Sequence, residues 1–142
     1  MKKEQEIFLK FKERLKKSLD IISKELHQAQ LKYTNEEIDR VHDLYSKNFS
    51  YPEKLNLTNE ELKTAFFAYC YNAYINSNGG ELILDTNKRS IHRGKPIIVN
   101  YGGKDYPWAA VSIDDWIKRI EESRFKGLLS EAINRDLKDK TL

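Results

Sequence analysis

The stretch TNEELKTAFFAYCYNAYINSNGG, residues 58–80, decides the fold. It opens with Thr58 and Glu61 at capping-box spacing. The threonine hydroxyl can accept from the N–H of Glu61, and the glutamate can reach back to the N–H of Thr58. Beyond Lys63, apolar and aromatic residues run almost all round the helix: Leu62, Ala65, Phe66, Phe67, Tyr69, Cys70, Tyr71, Ala73, Tyr74 and Ile75. A helix of this kind is covered on several sides. Its small residues Ala65, Ala68 and Ala73 allow close approach of neighbours. Asn78-Gly79-Gly80 ends it, since glycine tolerates the left-handed C-cap conformation. The helix over 62–76 is therefore expected to be the hub of the domain.

Working outward toward the C-terminus, ELILD (81–85) alternates and reads as a strand. PIIVNY (96–101) reads as its partner, with β-branched Ile97, Ile98 and Val99. The connection over 86–95 is longer than a tight hairpin turn, and Ser90-Ile91-His92 has room for a short strand of its own. Gly102-Gly103 predicts the next turn. Residues 108–113 read either as a third strand or as the start of a helix. Ile113, Trp116, Ile117 and Ile120 then show a helical period. A last helix is expected over 125–137, with Leu128, Leu129, Ala132, Ile133 and Leu137 on one face.

Toward the N-terminus, Phe8, Phe11, Leu15, Leu19, Ile22, Leu26 and Ala29 recur at steps of three and four. They predict a long amphipathic helix over 3–32. Its stripe has three possible destinations: the domain's own core, a second copy of the chain, or a membrane surface. The mixed charges on the polar face argue against the last, which leaves a monomer or a homodimer. Thr34 and Glu37 restart a helix with a second capping box. Ile38, Val41, Leu44 and Tyr45 form its apolar side, and Tyr51-Pro52 closes it, leaving 50–57 as a loop. The expected fold is a single α+β domain over 1–142, with helices packed around a small antiparallel sheet of two to four strands. Residues 1–57 form a helical part, 58–122 a helix–ribbon–helix core and 123–142 a C-terminal helix.

Composition agrees. The chain is 33% charged yet 11% aromatic, and the large rings supply a core that a disordered chain lacks. The net charge of +3 is too small to imply a polyanionic partner. The basic excess sits at the N-terminus and in the ribbon, with an acidic belt over 33–80, an arrangement that can orient a protein partner. Cys70 is the only cysteine, so no intrachain disulfide forms, in keeping with a reducing compartment. The N-terminus lacks the apolar run of a secretory signal, and no run approaches a membrane span. The expected location is the cytoplasm.

No residue set has catalytic, cofactor-binding or metal-binding spacing. His27, His42 and His92 read as surface histidines outside any zinc pattern. Cys70, among aromatics in mid-helix, reads as a small apolar residue. Asp114 and Asp115 fall in a first helical turn, where the helix dipole favours carboxylates. Neither glycine pair has the spacing of a phosphate loop. The chain is thus expected not to be an enzyme, with a pairing of His92 and Asp85 as the catalytic alternative. The one concentrated basic element is the ribbon loop, Lys88–Lys95. Its Lys88, Arg89, His92 and Arg93, together with Lys104 and Tyr106, are the candidate partner-binding residues. They suit an acidic patch on a protein or a phosphate backbone, and a plain solvated loop is the alternative. The lack of interleaved aromatics weighs against single-strand binding by stacking. Trp108 is expected in the core and Tyr106 at the surface. Tyr33, Tyr45 and Tyr51 can extend an exposed aromatic patch on the helical side.

The order helix, Asn78-Gly79-Gly80, strand, Pro96–Val99 strand, Pro107-Trp108, amphipathic helix resembles a loose class of small bacterial domains of unknown function. Some of these occur beside toxin genes and are taken to be immunity proteins. The resemblance covers about Ala65–Glu122. It implies a compact α+β domain and an inhibitory, protein-binding role, such as covering the active site of an antibacterial toxin. It assigns no functional residue. A nucleic-acid-associated or regulatory module using the basic loop is the competing expectation.

Overall fold

The computed structural model describes residues 2–91, 93–99 and 110–134. Helices α1 (Lys2–Glu25), α2 (Asn35–Asn48) and α3 (Asn59–Asn78) precede strands β1 (Glu81–Leu84), β2 (Pro96–Val99) and β3 (Ala110–Val111). Helix α4 (Ile113–Glu121) follows, and residues 129–134 form a last helical segment, α5. The expected α+β domain is what forms. The turn at 102–103, Asn100, Tyr101, Trp108 and Leu137 lie outside the described residues.

Helix α3 is the hub. Leu62, Ala65–Cys70, Ala73 and Tyr74 are buried, none more than 2% exposed. Its rings bind the other helices to it. Phe67 meets Phe11 of α1 edge-on at 5.1 Å, Phe66 stacks on Tyr45 of α2 at 4.3 Å, and Tyr74 lies 6.1 Å from Trp116 of α4. Burying each such side chain contributes roughly 1.5–3 kcal/mol, so the segment that organises the fold also supplies much of its stability. The Thr58 capping box forms as expected, with Glu61 N–H donating to Thr58 Oγ1 (3.1 Å) and Thr58 N–H to Glu61 Oε1 (2.9 Å). Gly79 follows at φ +74 and ψ −163. That is a positive-φ conformation nearly confined to glycine, although not the left-handed helical cap expected.

The sheet has the order β1-β2-β3 and is antiparallel throughout. Leu82 faces Ile98, and Leu84 faces Pro96. These four therefore share one face. Leu82 and Ile98 join the core there, while Leu84 is half-buried near the sheet's end. Of the ambiguous stretch 108–113, residues 108–109 lie outside the described residues and 110–111 are a strand. Ala110 and Val111 pair against Val99 and Ile98, and the helix begins only at Ile113, after Ser112 caps it through Asp115 N–H (3.1 Å).

Several expectations need correction. Helix α1 stops at Glu25 instead of running to 32, and Ala29 is exposed. The stop is a Schellman closure: Gln28 N–H donates to Ser23 O, His27 N–H donates to Lys24 O, and His27 takes φ +56. No glycine or proline marks it. Secondly, the Thr34 capping box is only half made. Thr34 Oγ1 accepts from Glu37 N–H, but the Glu37 carboxylate turns to other donors. Thirdly, α5 starts at 129, not 125, and Leu128 is 49% exposed. Its first turn is capped by α2: Ser130 N–H and Oγ–H donate to Asp39, and Leu129 N–H donates to His42 Nδ1. His42 is thus half-buried, not a surface histidine; burial lowers its pKa, with Asp39 and Asp43 opposing the shift. Finally, the aromatic patch on the helical side does not form. Tyr45 is 2% exposed and Tyr33 half-buried, leaving Tyr51 in solvent.

The buried carboxylate of Glu37 is the polar counterpart of the aromatic hub. Lys32 N–H and Tyr33 N–H (both 2.9 Å), Gln28 Nε2 (2.8 Å) and Tyr69 Oη (2.7 Å) all donate to it. Burial disfavours its charge, but the four donors outweigh this and hold the carboxyl below its usual range. The same contact, added to burial, raises Tyr69 far above an ordinary phenol. Tyr33 sits at φ +57, a strained conformation for an aromatic residue. Its N–H bond to Glu37 and its ring contact with Tyr69 at 5.1 Å hold it there.

Candidate functional site

The β1–β2 loop places three of the six candidate partner-binding residues. Lys88, Arg89 and Arg93 are all exposed on it. His92, Lys104 and Tyr106 lie outside the described residues, and so does the His92 side of the pairing with Asp85. The loop carries no third strand at Ser90–Ile91.

Its shape comes from its own polar groups. Asp85 is buried at the exit of β1, where its N–H donates to Lys95 O (2.9 Å) and its carbonyl accepts from Gly94 N–H (2.7 Å). Asp85 Oδ1 accepts from Asn87 N–H, and Asn87 Oδ1 accepts from Arg89 N–H, both at 3.0 Å. Turns at Asn87–Ser90 and Ser90–Arg93 complete the course, and Gly94 closes it at φ +78. Successive side-chain-to-backbone bonds of this kind fix a turn locally, without core contacts. These bonds shape the described backbone from which Lys88, Arg89, Arg93 and Lys95 reach solvent. Ile91 projects among these cations, 87% exposed.

Beside the loop lies a groove of about 330 Å³ that composition did not announce. Ile7, Phe8 and Phe11 of α1 form one wall. Leu84, Gly94 and Pro96 form the other, and Asp114 of α4 closes it. The α1 positions were legible as a core stripe. That their N-terminal end stays partly uncovered depends on where the sheet stops, which no local pattern encodes. Ile7 is 58% exposed.

A second polar cluster borders an open pocket lined by Tyr45, Phe49, Lys63 and Glu121. Tyr45 Oη–H donates to Glu121 Oε2 at 2.5 Å, and Lys63 approaches the same oxygen at 3.9 Å. Cys70 is fully buried, and burial raises its thiol pKa well beyond the ordinary range. Such a thiol stays protonated and acts as a small core group. Among the described residues, no group of three or more His, Cys, Asp or Glu is placed to hold a metal ion. No helix among them is long and apolar enough to cross a membrane. Comparison with protein-family models, curated proteins and solved structures finds no match for this chain.

Proposed function

We propose that this chain is a cytoplasmic, non-catalytic inhibitor that binds another protein, such as an immunity protein that neutralises an antibacterial toxin by covering its active site. The observation that carries this reading is the β1–β2 loop. It holds Lys88, Arg89 and Arg93 in solvent on a backbone fixed by its own hydrogen bonds, with Ile91 among them. A preordered loop loses little conformational freedom on binding, which favours affinity. Its cations suit an acidic rim around a toxin's cleft, and an exposed isoleucine suits an apolar contact within that rim. Ile91 is also what favours a protein over a phosphate backbone, which offers an isoleucine nothing to bury against.

The test is co-expression with the product of a neighbouring secreted-toxin reading frame. The wild-type chain should protect the host. The variant K88E/R89E/R93E should not, while unfolding at the same denaturant concentration as wild type. Failure of the wild-type chain to protect, or full protection by the variant, would remove the proposal. A nucleic-acid titration separates the competing role, because phosphate contacts predict affinity that falls steeply with added salt.

A further inference from the structure

Resting on that reading, we infer that the groove between α1 and the β1–β2 hairpin is a second part of the partner-binding surface. It receives a segment of the partner protein that inserts an apolar side chain flanked by a lysine or arginine. The apolar requirement follows from Ile7, Phe8, Phe11, Leu84 and Pro96, which line the groove. The requirement for a cation follows from how its charges are already engaged. Arg14, at the groove's edge, is taken up by Glu60 at 3.1 Å. Asp115, next to Asp114 in α4, is taken up by Arg119 at 3.0 Å. The Asp114 carboxylate has neither a hydrogen bond nor an ion pair to the described residues, although the residue is half-buried and lines the groove. Burial raises its pKa; Lys63 and Lys95 oppose that shift through space, yet neither closes to an ion pair.

Asp114 is thus a half-buried carboxylate at an apolar wall that receives no donor from the described residues. An ammonium or guanidinium arriving with an apolar side chain would supply the missing donor while the groove is dried. Glu4 on the α1 wall adds a second negative group of the same sense. Dipole stabilisation in the first turn of α4 explains why a carboxylate is tolerated there. It does not explain the apolar groove in front of it. The loop and the groove are contiguous at Gly94 and carry opposite charge, so a partner must present acidic groups to the one and a basic group to the other. Such alternation fixes the register of docking.

The test uses the full chain and a phage-displayed library of random dodecapeptides. Peptides selected on wild type should combine aromatic or aliphatic residues with lysine or arginine. Their affinity should fall about tenfold for Asp114→Asn, the loss expected for one charge-assisted contact. It should fall at least as far for Ile7→Glu, and Ile7 is exposed enough for that change to leave the fold intact. K88E/R89E/R93E should leave these peptides bound. Acidic peptides that lose binding only in K88E/R89E/R93E would overturn the groove assignment and leave the loop as the binding element. Peptides indifferent to all three variants, or no selected peptides at all, would overturn the groove assignment, with the loop then judged by the co-expression test. Concentration-dependent sedimentation that Ile7→Glu abolishes would overturn it in favour of a second copy of the chain in the groove.

Discussion

Replacing Glu37 by glutamine tests the polar counterpart of the core. In the wild type each carboxylate oxygen accepts twice: Oε2 from Gln28 Nε2 and Lys32 N–H, and Oε1 from Tyr33 N–H and Tyr69 Oη. An amide of the same size can accept at only one of those positions. Its NH2 must face donors at the other. The least costly arrangement places the NH2 toward Tyr69, whose hydroxyl can rotate to accept, and leaves Tyr33 N–H facing a donor. One buried N–H is then unsatisfied and the remaining bonds lose charge assistance. The expected cost is roughly 2–4 kcal/mol, a large part of a typical stability of about 5–15 kcal/mol. Tyr69→Phe leaves the carboxylate three donors and should cost less, about 1.5 kcal/mol. Urea unfolding near neutral pH measures both. The pH dependence adds a sign. The folded-state pKa of Glu37 lies below its ordinary value of 4.5. Its stabilisation is therefore full above the unfolded-chain pKa and is lost as pH falls through the folded one. The difference between wild type and E37Q should narrow on acidification below that ordinary value. A difference under about 1 kcal/mol near neutrality, or one that stays constant on acidification, would refute the reasoning.

Three further substitutions probe other parts of the fold. Phe66→Ala removes a ring that is fully buried and stacked on Tyr45, and should cost about 3–5 kcal/mol in urea unfolding. Thr58→Ala breaks a complete capping box at the head of α3 and should cost about 1 kcal/mol, seen as a lower midpoint with an unchanged slope. His27→Gly should raise thermal stability by an amount equivalent to roughly 0.5–1 kcal/mol. Its residue is exposed, sits at φ +56 and closes α1, where glycine carries no steric penalty.

What the sequence disclosed, and what it hid, divides along physical lines. Helix α3 was legible because its burial is written in its composition: rings on every side can only be satisfied by neighbours on every side. Strands β1 and β2 were legible from alternation and β-branching, and the body of α4 from the Ile113–Ile120 period, although its start was not. The end of α1 was not legible, because His27 adopts a conformation that sequence rules reserve for glycine. The role of Glu37 was half legible. Its spacing from Thr34 indicated a cap, but Tyr69, which draws the carboxylate away, lies 32 residues along the chain. Capping of α5 by Asp39 and His42 was hidden for the same reason, since both partners come from α2. Of the candidate site, the basic loop was visible as a run of charge. The groove was not, because its walls come from α1, the hairpin and α4, and no one segment shows a gap between elements.

Native-state hydrogen exchange, read residue by residue on the full chain, tests most directly whether α3 is the hub on which the β1–β2 loop is carried. The amides of Phe66–Tyr74 should be the slowest in the protein and should open only with global unfolding, while those of α1 and the β1–β2 loop open at lower free energy. Exchange of the Phe66–Tyr74 amides through local openings, with α1 or α2 protected for longer, would contradict the account.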